Sequence, residues 1–258
     1  MAELTVGRDE PAPVQAQPVD DEQVMTLVEH LSELRRRIFI GLLAVGAGTV
    51  IGFFFAPDII RILKEPIPGP LFFTQPGGAL FLQIKLALMV GVALGSPVIL
   101  YQLWAFVSPG LTDRERRTAR PWIPLAIVFL VAGVGVAYAI LPYTAAFLLG
   151  FEIEGVIEPL ITADAYFGFV TVLFLAFGLV MQFPIVLVLL SKVGIVNVER
   201  LRRGRRYVAL GIVIFAVVVT PGGDPISPII MSAVMYPLYE LTIWLVARGQ
   251  RAVPAADG

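Results

Sequence analysis

The chain has 258 residues, of which 57% are hydrophobic and 15% are charged, and its formal net charge is −1. An ordinary soluble domain carries about 25% charged residues, so this composition excludes one, and a net charge so close to zero gives no general attraction to nucleic acid. The absence of cysteine and the single histidine, His30, argue against disulfides, thiolate metal sites and multi-histidine metal sites, and we expect no cofactor.

Residues 1–24 are acidic, rich in proline and glutamine, and without an apolar core. They therefore resemble neither a secretory signal peptide nor an organelle transit peptide. Their low hydrophobicity predicts a disordered cytoplasmic tail. We expect a membrane domain over residues 25–247 and a second cytoplasmic tail over residues 248–258.

A short amphipathic segment, Met25–Arg37, precedes the first apolar run. Its leucines fall on one face at helical spacing. Glu33 lies four residues before Arg37, so the two side chains can pair on the helix surface. Two interpretations stay open. The segment is either a solvated face with a basic topology signal, or it holds the Glu33 carboxylate at the membrane surface for a cationic ligand.

Six apolar runs dominate the rest of the chain. A membrane span needs roughly 20 apolar residues, because the hydrocarbon core is about 30 Å thick. Backbone polar groups cannot stay unpaired in lipid, so the runs predict helices. The runs are Ile38–Ala56, Leu80–Val107, Pro121–Leu141, Tyr166–Leu190, Tyr207–Val219 and Ile229–Ala247.

Prolines and charges set the expected helix lengths. We expect Pro57 to end the first helix and Pro142 to stop the third, because proline lacks the backbone N–H. The fifth run has 13 residues, about 20 Å of helix. The sixth is near normal length but carries Glu240 towards its cytoplasmic end. We expect the fifth and sixth helices to be short, with either snorkelling arginines or a thinned bilayer making up the difference.

The basic residues between the runs lie almost entirely on one side. Fifteen of them precede the first run, occupy the loops after the second and fourth runs, or follow the sixth, whereas the opposite side holds only Arg61 and Lys64. The positive-inside rule places the basic loops and both termini in the cytoplasm. The predicted fold class is an all-α membrane protein with six transmembrane helices and cytoplasmic N- and C-termini.

Small and polar residues inside the runs have mostly structural interpretations. Gly48 and Gly52 in the first run, and Gly91 and Gly95 in the second, have the small-xxx-small spacing of closely packed helices. This spacing favours packing within the chain over a subunit interface. Lys85, early in the second run, is close enough to the outer end to snorkel towards water.

A cluster of aromatic, turn and charged residues follows the second run, Leu103–Arg117. Trp104 and Phe106 suit a membrane interface. Glu115 lies among four arginines, and its simplest interpretation is a surface ion pair of little energetic worth.

Four motifs, in this order and with this predicted topology, resemble the TatC family, the multispanning subunit of the twin-arginine protein translocase. The resemblance covers the chain from about Met25 to Val246. The motifs are His30–Arg37, Tyr101–Arg117, Thr220–Asp224 and Met235–Glu240.

The resemblance implies a binding site for twin-arginine signal peptides at the cytoplasmic face. By position, Glu33 and Glu115 match the carboxylates that engage the paired arginines, Phe106 matches an aromatic residue near the same site, and Arg35 belongs to the same segment. A guanidinium presents a planar fork that a carboxylate can meet with two hydrogen bonds. We therefore expect Glu33 and Glu115 to converge and to take one arginine each.

The resemblance also implies partner-helix contacts or a part in transport for Gln182, Asp224, Tyr239 and Glu240. Most of the family has a glutamate where this chain has Gln182. Burying a neutral amide in lipid costs less free energy than burying a carboxylate, and the amide still forms hydrogen bonds. A bond to a partner helix and a bond within the chain therefore both stay open, while a role that needs ionisation is not expected. Instead of a part in transport, Asp224 could have a purely local role, which is to cap a turn before Pro225.

The function implied is a core receptor subunit, without catalysis, that exports folded proteins together with single-span TatA- and TatB-type partners. The chain has no nucleotide-binding glycine-rich loop, so the energy for transport would come from elsewhere, and the resemblance implies the proton-motive force. The location implied is the bacterial plasma membrane, in a multimeric complex within the lipid bilayer. A small-molecule transporter is less favoured because the runs show no internal repeat and few ionisable groups. An intramembrane protease would need His30 inside a span, and it precedes the first.

Overall fold

The computed structural model of the chain describes residues 27–107, 122–153, 160–192 and 196–251. Eight helices account for nearly all regular structure in these ranges, which confirms the all-α fold class. The helices are α1 Leu27–Lys64, α2 Gly78–Val107, α3 Trp122–Leu149, α4 Ala163–Val180, α5 Phe183–Lys192, α6 Val198–Arg203, α7 Arg205–Val219 and α8 Ile226–Arg251.

Five segments of the described chain are long and apolar enough to cross a membrane. They are Glu29–Lys64, Gly78–Phe106, Pro124–Leu149, Ala163–Val188 and Ile226–Arg248. The remaining predicted span is α7, whose 15 residues form a helix as short as the sequence indicated. Its length of about 22 Å falls below the roughly 30 Å of a hydrocarbon core. A sixth crossing therefore stays a prediction.

Two predicted helix ends were wrong. Helix α1 continues through Pro57 to Lys64, and α3 continues through Pro142 to Leu149. A proline removes one backbone hydrogen bond. In an apolar environment, breaking the helix there would leave several more backbone groups unpaired. Continuing the helix is therefore the less costly solution.

The prediction that the sixth membrane helix is short was also wrong. Helix α8 has 26 residues, which is about 39 Å. Two of the charged residues within this helix, Glu240 and Arg248, have partners that accommodate them. Arg205 donates to Glu240 at 2.7 Å, and the Arg248 guanidinium lies 3.6 Å from the centre of the Trp244 ring.

The fourth apolar run forms two helices, α4 and α5, instead of one. Met181 caps the C-terminus of α4, and Gln182 follows it at the joint. Pro184 occupies the first turn of α5. A proline there loses no intrahelical hydrogen bond, because the first turn has no acceptor for its N–H. The joint therefore places Gln182 between two helix ends.

Helix α4 supplies much of the core of the bundle. Phe167, Val170, Leu173 and Phe177 are completely buried, and α4 contacts both α2 and α3. Helix α8 in turn contacts α3, α5, α6 and α7. Large apolar side chains on the other surfaces of the helices are exposed. A lipid environment removes the cost that this exposure would carry in water.

Helices α1 and α2 approach so closely that only glycine fits between them. A Cβ atom at Gly48 would lie 2.9 Å from the carbonyl oxygen of Gly91, and one at Gly95 would lie 3.1 Å from the backbone nitrogen of Val45. Gly52 likewise faces the backbone of α2. The predicted role of these glycines in packing within the chain is confirmed.

Backbone pairing ties together the helix ends opposite the basic residues. Phe72 N–H donates to the Ile161 carbonyl at 3.1 Å, and Ala163 N–H donates to the Phe72 carbonyl at 2.8 Å. The Tyr166 hydroxyl donates to the Leu63 carbonyl at 2.5 Å. These bonds fasten the proline-rich loop after α1 to the start of α4. The other end of the bundle, where α1 begins and α2 and α8 end, is referred to below as the basic end.

Candidate functional site

The first turns of α1 lie beside the last turns of α2 at the basic end. The ring of His30 stacks on the ring of Phe106, with centroids 4.3 Å apart and planes inclined by 22°. Arg37 donates to the Gln102 side-chain oxygen at 3.3 Å. The close glycine packing deeper in the pair fixes the two helices relative to each other. The side chains at their ends are therefore held on a rigid frame.

Glu33 is bonded through only one of its two carboxylate oxygens. Arg37 donates to Oε1 from Nε at 3.0 Å and from Nη2 at a shorter distance, which confirms the predicted pair four residues apart. The other oxygen, Oε2, is buried and has no hydrogen-bond partner within the described ranges. An ionised carboxylate can accept several hydrogen bonds and favours charged donors. Oε2 therefore keeps a capacity to accept hydrogen bonds that no residue in the described ranges uses.

An apolar groove of about 260 Å³ lies between the two helices next to this carboxylate. Arg37 and Gln102 supply its polar lining, and Phe106 contributes an aromatic ring. The apolar lining comes from Leu34, Ile38, Gly41, Leu42, Val45, Ile99 and Leu103. An elongated ligand with a cation next to apolar side chains matches this combination of carboxylate and groove.

The structure brings only part of the predicted site together. Phe106 and Glu33 both belong to the region where α1 meets α2. Arg35 is exposed and lines an adjoining surface that shares Ile38 and Leu42 with the groove. It does not line the groove itself, because residues two apart on a helix face different directions. Glu115 lies outside the described residues, so its convergence with Glu33 stays a prediction.

Two members of this region, Gln102 and His30, were not predicted as part of the site. The sequence contained a pattern that could have identified Gln102. It is a polar residue in an apolar run and lies four residues before Phe106, on the same helix face. His30 had a weaker pattern, because it precedes Glu33 by three residues on the same face of α1. Its aromatic stacking partner comes from a distant part of the sequence.

Gln182 is buried at the joint between α4 and α5, with 8% of its surface exposed. Its Nε2 donates to the Ala126 carbonyl of α3 at 3.0 Å. The alternative of a bond within the chain is therefore the one observed. Its Oε1 is buried without a partner in the described part of the chain. A buried acceptor without a donor costs about 1–3 kcal/mol, so a donor from another helix would be stabilised here.

Asp224 caps the N-terminus of α8, after Pro225, instead of the turn before Pro225 that its local alternative predicted. Its Oδ1 accepts a hydrogen bond from Ser227 N–H at 2.7 Å. Gly222 and Gly223 precede it with φ values of 91° and 70°, a backbone conformation that other residues rarely adopt. These glycines turn the chain so that the carboxylate reaches the helix end. Oδ2 is buried with no partner among the described residues.

Tyr239 and Glu240 fasten the short helices α6 and α7 to α8. Tyr239 is completely buried, and its hydroxyl donates to the Leu201 carbonyl at 2.5 Å. Glu240 accepts from Arg205 at 2.7 Å. Neither residue lines the groove between α1 and α2. The structure therefore places the two sets of predicted residues in separate regions.

The long apolar helices show that the chain is a helical, multispanning membrane protein. The family model described as Sec-independent protein translocase protein (TatC) matches residues 29–233. This match covers more than half of the chain, so the chain belongs to the TatC family, as the motifs predicted.

Similar proteins cover most of the chain. The TatC protein of Synechocystis sp. is 39% identical over 233 residues, which are 89% of this chain and 91% of the relative. The chloroplastic TATC protein of Pisum sativum is 38% identical over 231 residues, which are 88% of this chain but 65% of the pea protein. A crystal structure described as the twin arginine translocase receptor TatC in DDM is 36% identical, with a TM-score of 0.73 and coverage of 84% of this chain and 99% of that one.

Membership of this family makes the chain a protein translocase component and a transport subunit, not a catalytic enzyme. The apolar helices make it a membrane protein. A translocase subunit works in a protein complex.

Proposed function

We propose that this chain is the receptor subunit of a twin-arginine translocase and binds twin-arginine signal peptides at its cytoplasmic face. The observation that carries the proposal is the unpartnered Oε2 of Glu33 next to the apolar groove. A signal peptide presents cations followed by apolar residues, so it can use both features at once. The carboxylate takes a guanidinium, and the groove takes neighbouring apolar side chains.

Arg37 prepares the carboxylate for this task. Its bonds to Oε1 fix the orientation of Glu33 and leave the hydrogen-bonding capacity of Oε2 for the ligand. The side-chain oxygen of Gln102 accepts a second hydrogen bond from Arg37. Arg37 therefore keeps a hydrogen-bond partner when the guanidinium of the peptide binds the Glu33 carboxylate. Lysine carries the same charge but lacks the planar fork that meets a carboxylate with two bonds. The site should therefore prefer arginine.

We assign the second arginine of the peptide to Glu115. This residue follows the end of α2 by eight positions, and an extended chain of that length reaches about 27 Å. The end of α2 is already next to α1, because Phe106 stacks on His30. The reach therefore comfortably includes the surroundings of Glu33. Arg35, on another face of α1, would contribute to peptide binding from outside the groove.

Transport requires single-span partners of the TatA and TatB type and the proton-motive force. The open Oε1 of Gln182 supports a hydrogen bond to a partner helix, and the open Oδ2 of Asp224 supports a second polar contact at the opposite end of the bundle. Tyr239 and Glu240 would act indirectly, by holding α6 and α7 in place for a partner.

The proposed location is the bacterial plasma membrane, with six crossings and both termini in the cytoplasm. The bias of basic residues towards one end supports this orientation. Helix α7 would make the sixth crossing with the help of local bilayer thinning or of the arginines at its start.

Site-specific photocrosslinking tests the peptide site. A photoreactive residue replaces Leu103, which lines the groove and is 51% exposed, or Val218 on α7 as a control of similar polarity, which is 76% exposed. Membrane vesicles with the full chain then receive cargo with a twin-arginine or a twin-lysine signal peptide. The proposal expects crosslinks from position 103 with the twin-arginine peptide only. Equal crosslinks with both peptides, or equal crosslinks from positions 103 and 218, would contradict it.

A further inference from the structure

A second cavity lies at the basic end, between α8 and the helices α6 and α7. Its volume is about 450 Å³. The side chains that matter for its chemistry are Arg202, Arg205, Glu240, Trp244 and Arg248. None of these lines the groove between α1 and α2, so the peptide site does not use this cavity.

The cavity has an excess of positive charge. It contains three guanidinium groups and one carboxylate. Arg205 is paired with Glu240 at 2.7 Å, whereas Arg202 and Arg248 have no carboxylate within salt-bridge distance among the described residues. Arg248 lies over the ring of Trp244 instead. Two guanidinium forks are thus left for an anion, and phosphate oxygens match their geometry.

The walls of the cavity are held by buried contacts. The Tyr239 hydroxyl binds the carbonyl of Leu201, the residue before Arg202, and both Tyr239 and Leu201 are buried. This anchors α6 against α8 and fixes the backbone that carries Arg202. The cation–π contact with Trp244 restricts Arg248 in the same way. The backbone that carries Arg202 and the guanidinium of Arg248 therefore each have a contact that limits their movement.

An apolar surface adjoins the cationic groups. Ile243 and Ala247 line the cavity together with Trp244. Trp244 is 48% exposed, and Leu241 on the same helix is 39% exposed. Tryptophan is typical of the level at which lipid headgroups meet acyl chains. A free phosphate would use only the arginines, whereas a phospholipid would use the arginines and the apolar surface.

We propose that this cavity binds the phosphate headgroup of an anionic phospholipid, with the acyl chains lying along α8 next to Trp244. The site belongs to the leaflet on the basic side, which under the proposed orientation is the cytoplasmic one, where juxtamembrane basic groups attract anionic lipids. The bound lipid would bridge α6, α7 and α8 at the place where the short helix α7 needs the bilayer to adapt.

Native mass spectrometry of the full chain in detergent tests this proposal. The probes are phosphatidylglycerol, phosphatidylcholine and inorganic phosphate. The variant R202Q/R248Q removes the two unpaired guanidinium groups. The matched control R203Q/R206Q removes two exposed arginines from the same stretch of sequence that do not line the cavity. R202K/R248K keeps the charge without the planar forks, and circular dichroism confirms that each variant retains its helices.

The wild type and R203Q/R206Q should retain one phosphatidylglycerol in preference to phosphatidylcholine. R202Q/R248Q should bind it about 30-fold more weakly, with R202K/R248K between them. Equal losses in R202Q/R248Q and R203Q/R206Q would show general attraction to the basic surface and overturn the proposal. Displacement of the lipid by millimolar inorganic phosphate would assign the cavity to a soluble anion and overturn it as well. No signal peptide enters this experiment, so its outcome is independent of the peptide site.

Discussion

Replacing Gly91 by alanine should push α1 and α2 apart at the centre of their contact. The added Cβ would lie 2.7 Å from the Val45 carbonyl oxygen and 2.7 Å from the Thr49 backbone nitrogen, and it would overlap the Thr49 hydroxyl oxygen. That hydroxyl is itself bonded to the Val45 carbonyl at 2.8 Å. Rotating the Thr49 side chain would therefore lose a hydrogen bond and would still leave the two backbone contacts.

The size of the effect follows from these distances. Ordinary contacts to a Cβ atom begin at 3.4 Å, so the backbones must separate by about 0.7 Å. A gap of that size forfeits roughly a quarter to a half of the dispersion energy of the contacts it opens. Overpacking of this kind typically costs about 1–3 kcal/mol of unfolding free energy, and we expect Gly91→Ala in this range.

The assay is denaturation of the purified full chain in mixed micelles, followed by circular dichroism. Gly46→Ala is the matched control, because a Cβ at Gly46 on α1 would meet nothing within 4 Å and alanine is a better helix former than glycine. Gly46→Ala should be neutral or slightly stabilising. If Gly91→Ala proved as stable as Gly46→Ala, the close approach of α1 and α2 and the rigid frame for Glu33 would both be refuted.

Three other buried contacts yield predictions in the same denaturation assay. Gln182→Leu should change the unfolding free energy by less than about 1 kcal/mol, because it removes an unsatisfied acceptor together with a hydrogen bond. The same variant should reduce co-purification of single-span partners, and unchanged co-purification would refute the partner contact. Asp224→Ala should cost about 0.5–2 kcal/mol by removing the α8 cap, whereas Asp224→Asn should keep most of the cap; equal losses would argue against capping. Tyr239→Phe should lower the unfolding free energy by about 1–3 kcal/mol, because it leaves the buried Leu201 carbonyl unpaired. An unchanged unfolding free energy would show that the bond from Tyr239 to Leu201 does not stabilise the fold.

Local patterns in the sequence predicted most of the helices and several contacts. Long apolar runs gave the approximate positions of the membrane helices, and glycine spacing gave the contact between α1 and α2. The Glu33–Arg37 pair depends on residues four positions apart, so sequence spacing was sufficient. The motifs identified the family because they combine several local patterns in a fixed order.

Features that depend on distant parts of the chain could not be predicted in this way. Pro57 ends a helix by local rules, but the surrounding apolar environment makes an interrupted helix more costly than a continuous one. The ion pair between Arg205 of α7 and Glu240 of α8 joins residues 35 positions apart. The open oxygens of Glu33 and Gln182 likewise follow from three-dimensional surroundings that no spacing rule describes.

Peptide binding to Glu33→Gln shows whether the unpartnered oxygen of Glu33 recognises a guanidinium from the peptide. The full chain in lipid nanodiscs receives fluorescent twin-arginine and twin-lysine peptides, and fluorescence anisotropy gives the dissociation constants. The wild type should prefer the twin-arginine peptide, and Glu33→Gln should bind it about tenfold or more weakly and lose that preference. Arg35→Gln should bind both peptides more weakly but keep the preference for the twin-arginine peptide, because it leaves the Glu33 carboxylate in place. Unchanged affinity and preference in Glu33→Gln would contradict the account.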